Sequence, residues 1–248
     1  MTKPFLILQL RPEDDTADSE LRKICEYGQI DPSGVRRIRL EREPNPEVSL
    51  GDHCAIIVGG SPFDLSTPAD RKSELQVAIE DFFRRLLDEV IGRDFPFLGC
   101  CSGNGLLGNH LGAGISGKFG EDVGGIDIEI TEAGREDPLL AGMPSVIRVL
   151  VGHKEACDET PPGSTLLASG GLCPVQMFRV GSNVYATQFH PEGDFEGFDV
   201  RINAYKHHGY FPPETAEALS SRIRAEHTPE AHEILRRFVA RYGQPFQA

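Results

Sequence analysis

The chain lacks the long apolar segment that a membrane helix requires. No stretch of the sequence approaches the roughly 20 consecutive apolar residues of a membrane span. The N-terminus also lacks the basic-then-apolar pattern of a secretory signal. We therefore expect a cytoplasmic protein with no membrane partner.

Basic residues are few compared with acidic ones. Lys and Arg number 25 against 38 Asp and Glu, so the formal net charge is −13 at pH 7. A charge of this sign repels nucleic-acid phosphates and anionic membrane surfaces. The composition therefore argues against a nucleic-acid partner.

Common metal-ligand and phosphate-binding motifs are also missing from the sequence. The six cysteines include no Cys-x-x-Cys pair, and the only adjacent histidines are His207 and His208. Without an export signal, the cysteines of a chain of this size are normally reduced. There is no Walker-type phosphate loop. The sequence thus predicts no cofactor, no metal site and no nucleotide-binding synthetase domain within the chain.

The chain does contain a cysteine between two glycines at the end of an apolar segment. A strand that turns sharply into a helix strains the residue at the turn, so positions two before and two after it favour residues without a Cβ. Gly99 and Gly103 occupy those positions around Cys101. Centring the turn on Cys100 would place a leucine where a small residue is needed. Cys101 is therefore the candidate nucleophile, and Cys100 is expected to be a buried strand residue.

The surroundings predicted for Cys101 favour reactivity. A helix expected from Gly103 to about Leu111 would stabilise a thiolate at its N-terminus. The alternative is a glycine-rich turn that only packs against the sheet.

A second motif lies late in the chain, where a short strand ends in His190, a proline and Glu192. A cysteine nucleophile needs a base that takes its proton and later protonates a leaving amine. It also needs a carboxylate that sets the tautomer of that base. Cys101, His190 and Glu192 supply one residue for each role. Read alone, His190 would be an ordinary loop histidine and Glu192 a solvated acid.

These motifs together resemble those of the class I glutamine amidotransferases, whose glutaminase domains carry a Gly-x-Cys-x-Gly turn and a late His-Pro-Glu. A third element of that family, a glycine-rich loop after an early strand, matches residues 56–62 with Gly59 and Gly60. The resemblance covers roughly residues 5–205. Within the family, the chain looks most similar to free-standing GMP-synthase-like proteins.

The resemblance implies an enzyme that hydrolyses the side-chain amide of glutamine through a γ-glutamyl thioester on Cys101, releasing glutamate and ammonia. Backbone N–H groups of Gly60 and Ser102 would meet the oxyanion, and glycine at 59 and 60 would allow close approach. A separate synthetase subunit is the expected partner that accepts the ammonia.

One position departs from the family. Where the family usually has a substrate-contacting glutamine, this chain has Gly105. Another group could take over that role, the pocket could accept a γ-glutamyl amide larger than glutamine, or activity could be lost.

Two alternative functions stay open on these observations: a stand-alone γ-glutamyl amide hydrolase, and a non-catalytic binding subunit on the same scaffold. His153 and Glu155, a His-x-Glu at a strand end, either line the site or lie on the surface.

Alternating strand and helix patterns predict an α/β fold, with a mostly parallel central sheet and helices on both faces; the family resemblance implies the flavodoxin-like version. Gly59, Cys101 and His190 each follow a predicted strand, where reactive residues of such sheets gather. We expect an amidotransferase domain over residues 1–205 and a C-terminal helical extension over 206–248 packed on it. The extension could cover the sheet, form a homodimer contact or limit access to the cleft.

Three local predictions can be compared directly with the structure. An apolar stripe from Leu75 to Val90 predicts a long helix that begins near Thr67-Pro68. Turn residues around 181–183 predict a hairpin between two short strands. Thr228 followed by proline predicts the start of the last helix.

Overall fold

The computed structural model describes residues 3–207 and 211–243. Its strands are β1 (Phe5–Gln9), β2 (Val35–Arg39), β3 (Ile56–Val58), β4 (Phe97–Cys100), β5 (Ile115–Ser116), β6 (Glu121–Ile130), β7 (Val146–His153), β8 (Ala156–Cys157), β9 (Ser164–Gly170), β10 (Met177–Val180) and β11 (Val184–Thr187). Its α-helices are α1 (Asp14–Gly28), α2 (Glu74–Gly92), α3 (Ser102–His110), α4 (Glu132–Glu136), α5 (Phe195–Tyr205), α6 (Ala216–Arg224) and α7 (Pro229–Tyr242).

Nine of these strands form one sheet in the order β2-β1-β3-β4-β11-β10-β9-β6-β7. The five strands from β2 to β11 pair in parallel, and the remaining pairs are antiparallel. The antiparallel half begins at the predicted hairpin of β10 and β11, because strands joined by a short turn can pair only in that way. The small second sheet pairs β5 with β8.

Successive side chains of a strand point to opposite faces of the sheet, and the central strands have apolar side chains on both faces. In β1, Leu6 and Leu8 join the core beneath α2 and α3. Phe5 and Ile7 join the core beneath α1 and α7 on the opposite face. This arrangement confirms the predicted α/β fold with helices on both faces, and it brings the carboxyl ends of β3, β4 and β11 together at one edge.

The start of α2 differs from its prediction. The helix begins at Glu74, where the Ser73 hydroxyl accepts the N–H of Gln76 at 3.1 Å. The predicted start at Thr67-Pro68 is wrong: the proline is followed by a separate short helical turn over Ala69–Arg71. A proline can precede a short helical turn as well as a long α-helix, and the capping hydrogen bond of Ser73 determines where the long helix begins.

The C-terminal helices pack on the sheet rather than projecting from it. Helix α7 begins at Pro229 as predicted and contacts α1 and β7, while α6 contacts α5 and β6. The side chain of Thr228 makes no capping hydrogen bond with any described residue. The boundary between residues 205 and 206 stays a prediction, and residues 208–210 and 244–248 of the predicted extension lie outside the described residues. Among the described helices, none has the length and apolar character to cross a membrane.

Candidate active site

Cys101 lies at the turn between β4 and α3, and its backbone is strained. Its φ of 54° with ψ of −98° is a conformation that side-chain-bearing residues rarely adopt. Thr187 in β11 anchors the turn by accepting the Cys101 N–H at 2.8 Å. A Cβ at Gly99 would lie 2.6 Å from the carbonyl oxygen of Gly103, so this close approach of strand and helix requires glycine at 99. The arrangement is the sharp strand-to-helix turn that the glycine spacing predicts.

The two adjacent cysteines have different environments. Cys100 is 2% exposed and belongs to the hydrophobic core. Cys101 is partly exposed and lines two cavities. A substrate can therefore approach the thiol of Cys101 and not that of Cys100.

His190 lies in one of these cavities together with Cys101. Its Nδ1 is 2.8 Å from Oε1 of Glu192, and both side chains are buried. Because a carboxylate only accepts hydrogen bonds, Nδ1 carries the proton and Nε2 is left to act as an acceptor. The structure thus brings the three predicted residues to one edge of the sheet and pairs two of them directly.

A buried network of alternating charges supports Glu192. The Arg201 guanidinium donates to Glu192 Oε1 at 2.7 Å and lies 3.7 Å from Oε2 of Glu20. Arg11 in turn donates to that same Glu20 oxygen at 2.5 Å. Two buried arginines therefore balance two buried glutamates beside His190, as buried charges require.

No sequence motif indicates this network. Arg11 follows β1, Glu20 lies in α1 and Arg201 lies in α5, so their spacing along the chain forms no motif. Only the fold brings them together.

The network and the burial of the site change the protonation of its reactive groups. Burial lowers the pKa of His190, although the charge of Glu192 opposes this effect. Burial alone would raise the pKa of Glu192, but electrostatic interactions and hydrogen bonds with His190 and Arg201 outweigh the effect of burial and lower that pKa. Burial raises the pKa of Cys101 to about 11, against the opposing charges of Arg11 and Arg201. Near neutral pH, the free site therefore holds a thiol and a neutral imidazole.

The glycine loop after β3 lies against the same network. A Cβ at Gly59 would collide with the carboxylate of Glu20, and a Cβ at Gly60 would collide with Arg11. The Gly60 N–H donates to Glu20 Oε2 at 3.2 Å. The Ser102 hydroxyl donates to the Gly59 carbonyl at 3.1 Å. The Gly60 N–H can therefore meet an oxyanion only after its hydrogen bond to Glu20 is exchanged.

Gly105 lines the second of these cavities. A Cβ at this position would lie 3.0 Å from Cδ1 of Leu65, so the leucine occupies the space next to the glycine. His153 and Glu155 both line this cavity, which decides between the two alternatives left open for them.

A second group of Glu, His and Cys lies near this cavity and is fully buried. The potential ligand atoms of Glu121, His153 and Cys173 lie within 4.8 Å of one another. Glu121 Oε2 already contacts His153 Nε2 at 2.9 Å and Gln176 Nε2 at 2.7 Å. Burial raises the pKa of Cys173 to about 12, which makes it a poor nucleophile. The sequence predicts no metal site, and its spacing rules could not identify this group, since its members come from distant parts of the chain.

Most of the chain matches a known protein family. The family model "Glutamine amidotransferase class-I" matches residues 41–206. The chain is similar to the glutamine-hydrolyzing GMP synthase subunit of Thermococcus kodakarensis, with 35% identity over 98 residues, 39% of this chain and 50% of that protein. It is also similar to the GMP synthase subunit of the same name from Haloarcula marismortui, with 33% identity over 105 residues, 42% of this chain and 54% of that protein. The matched part of the chain thus spans about half the length of these curated relatives.

Two solved structures share the fold along nearly the whole chain. A glutamine amidotransferase from Thermotoga maritima matches with a TM-score of 0.74 and 18% identity, covering 99% of this chain and 100% of that one. A glutamine amido transferase from Methylobacillus flagellatus matches with a TM-score of 0.73 and 14% identity, covering 100% of this chain and 99% of that one. At this level of identity, the likeness shows the fold alone.

Proposed function

The chain belongs to the class I glutamine amidotransferase family, and from that premise we propose that it hydrolyses the side-chain amide of glutamine at Cys101, releasing glutamate and ammonia. One observation carries the proposal. Cys101 lies at a strained strand-to-helix turn and shares a cavity with His190, whose Nδ1 is 2.8 Å from Glu192.

The first step is attack of the Cys101 sulfur on the amide carbonyl carbon. Because burial raises the pKa of Cys101 to about 11, its side chain is a neutral thiol and not a thiolate before substrate binds. Neutral His190 takes the thiol proton on Nε2 as the carbon–sulfur bond forms. Glu192 stays ionised, holds the Nδ1 proton and stabilises the imidazolium that results.

The negative oxygen of the tetrahedral intermediate needs hydrogen-bond donors. The Ser102 N–H lies in the first turn of α3, where N–H groups have no partner within the helix and the helix dipole favours an anion. The Gly60 N–H is the second donor in this proposal, once it leaves Glu20. Fixed backbone donors of this kind lower the barrier most where charge develops.

Collapse of the intermediate releases ammonia, which takes its proton from His190. The γ-glutamyl thioester left on Cys101 is then attacked by water, with His190 again taking a proton. Glutamate leaves and the thiol is restored, so all atoms and protons are accounted for.

The relatives named as GMP synthase subunits point to a destination for the ammonia. We propose that it passes to a separate synthetase subunit, as the names of those relatives suggest. A stand-alone γ-glutamyl amide hydrolase is the second candidate, favoured by Gly105 in place of the family's substrate-contacting glutamine.

Glutamate release from glutamine by the purified protein tests the proposal. Cys101→Ala should abolish turnover, whereas Cys100→Ala, which removes the buried neighbour, should retain most of it. A preference for larger γ-glutamyl amides would favour the hydrolase. A folded protein that binds glutamine without turning it over, whether or not a synthetase is present, would refute the proposal and favour a non-catalytic binding subunit.

A further inference from the structure

The second cavity beside Cys101 is lined by residues of the proposed active site and by two oppositely charged residues. Cys101, Ser102 and Gly105 line it together with Asp64 and Lys154. Asp64 lies in a loop after β3, and Lys154 follows β7. Of the two cavities that Cys101 lines, this one has charged side chains of both signs, as the far end of an amino-acid γ-amide requires.

The loop that carries Asp64 is held in place from two sides. The carboxylate of Glu155 accepts the N–H groups of Leu65 and Ser66 at 2.6 and 2.8 Å. Gln76 of α2 donates to the Asp64 carbonyl at 2.8 Å. The position of Asp64 is therefore determined by the fold and not by the length of a flexible loop.

This loop lies next to Gly105. Leu65 Cδ1 lies 3.0 Å from the position that a Cβ would take there. Gly105 has no side chain with which to contact a substrate, whereas Asp64 of the adjacent loop lines the cavity. Recognition of the substrate must then come from the loop and from the residues facing it.

Asp64 and Lys154 face each other with opposite charges. Asp64 Oδ2 lies 3.5 Å from Lys154 Nζ, and each side chain is 34% exposed. An ion pair exposed to this extent is weak, because water screens the two charges, so a ligand that carries both charges can compete with the attraction between these two side chains. Gln188, which is 2% exposed, lines the same cavity, and its Oε1 has no hydrogen-bond partner among the described residues.

We propose that Asp64 and Lys154 bind the head group of an α-amino acid, with Asp64 receiving the α-ammonium and Lys154 the α-carboxylate. The inference rests on the proposed function and specifies its substrate class: γ-amides with both head-group charges free. Glutamine satisfies this requirement, and so does a γ-glutamyl amide with an unmodified head group.

Three substrates separate the two contacts. Glutamine carries both charges, 5-amino-5-oxopentanoate lacks the ammonium, and 4-aminobutanamide lacks the carboxylate. Asp64→Asn should lower kcat/KM for glutamine about tenfold, mostly through KM, as expected for a lost hydrogen bond to a charged group. The same variant should leave turnover of 5-amino-5-oxopentanoate unchanged. Lys154→Met should lower turnover of glutamine and 5-amino-5-oxopentanoate and spare 4-aminobutanamide.

Asp70→Asn and Lys3→Met are matched controls, because both residues are exposed and neither lines the cavity. Neither control substitution should change kcat/KM for any of the three substrates. Equal losses on all three substrates in the Asp64 and Lys154 variants would overturn the head-group assignment.

A binding measurement separates failure of this inference from failure of the proposed function. Calorimetry of glutamine with the Cys101→Ala protein should give a Kd that weakens about tenfold when Asp64→Asn is added. An unchanged Kd, or no binding of glutamine at all, would overturn the assignment even if the wild-type protein hydrolyses glutamine. Normal binding that responds to Asp64, without hydrolysis by the wild type, would instead refute the proposed function alone.

Discussion

Removing the guanidinium of Arg201 should destabilise the fold far more than removing an exposed arginine. Arg201 is 8% exposed, donates to Glu192 at 2.7 Å and lies 3.7 Å from Glu20. In Arg201→Met, two buried carboxylates keep their positions and lose a shared cation. The substitution keeps most of the side-chain volume, so the lost charge dominates the effect.

The magnitude follows from what remains around each carboxylate. Removing one partner of a buried ion pair costs about 3–5 kcal/mol. Arg11 still contacts Glu20, and His190 still contacts Glu192. We therefore expect a loss of about 3 kcal/mol, the lower end of that range. This is a large part of the roughly 5–15 kcal/mol that stabilises a typical domain.

The loss should depend on pH. The pKa of Glu192 is lower in the folded protein than its ordinary value near 4.5, so its contribution to stability is present above that value and disappears as the pH falls through the lower, folded pKa. Arg201 supplies part of this contribution. The difference in unfolding free energy between wild type and Arg201→Met should therefore be largest near pH 7 and become smaller in acid.

Urea unfolding at neutral and acid pH measures this difference. Arg84→Met is the control, because Arg84 pairs with Asp81 at 2.9 Å while their side chains are 62% and 52% exposed. Its unfolding free energy should stay close to that of wild type, because water screens an exposed pair. An Arg201→Met protein within about 1 kcal/mol of wild type at pH 7, far short of the loss expected for a buried pair, would refute the charge balance described here. So would a loss of the same size at every pH.

Three further predictions concern the turn and its base. Without substrate, the rate at which iodoacetamide alkylates Cys101, measured by peptide mass spectrometry, should still increase above about pH 9, because the pKa of the thiol is about 11. A rate that reaches a plateau below neutral pH would contradict this pKa. The acid limb of kcat/KM should fall below about pH 6.5, since neutral His190 is the base and burial lowers its pKa; a pH–rate profile with that limb above pH 7 would be inconsistent. Gly99→Ala should cost about 1–3 kcal/mol, because the added methyl would lie 2.6 Å from a carbonyl oxygen; an unchanged urea midpoint would disprove the close approach.

The local geometry of the turn could be predicted because a short motif determines it. The glycines at 99 and 103 around Cys101 require a close strand-to-helix approach, and the structure has it. His190 and Glu192 are two residues apart, so their contact is also a local property. The repetition of strand and helix patterns likewise predicts helices on both faces, and the continuous apolar run of β1 fits a strand that is buried on both sides.

The rest depends on contacts between distant segments. Glu20 and Arg201 are separated by most of the chain, and no periodicity indicates that they lie 3.7 Å apart. The hydrogen bond from the Gly60 N–H to Glu20 follows from that same assembly. Leu65 beside Gly105 is a third example, since a loop conformation decides which residue fills the space.

The most direct measurement of the central claim is the site of covalent labelling by a diazoketone analogue of glutamine. This reagent binds as the substrate does and alkylates the nucleophilic sulfur with loss of nitrogen. Peptide mass spectrometry should find one label per chain on Cys101, excess glutamine should protect it, and Cys100→Ala should still be labelled while Cys101→Ala is not. Labelling of Cys100 or Cys173 in its place, or turnover of glutamine by Cys101→Ala, would contradict the assignment of Cys101 as the nucleophile.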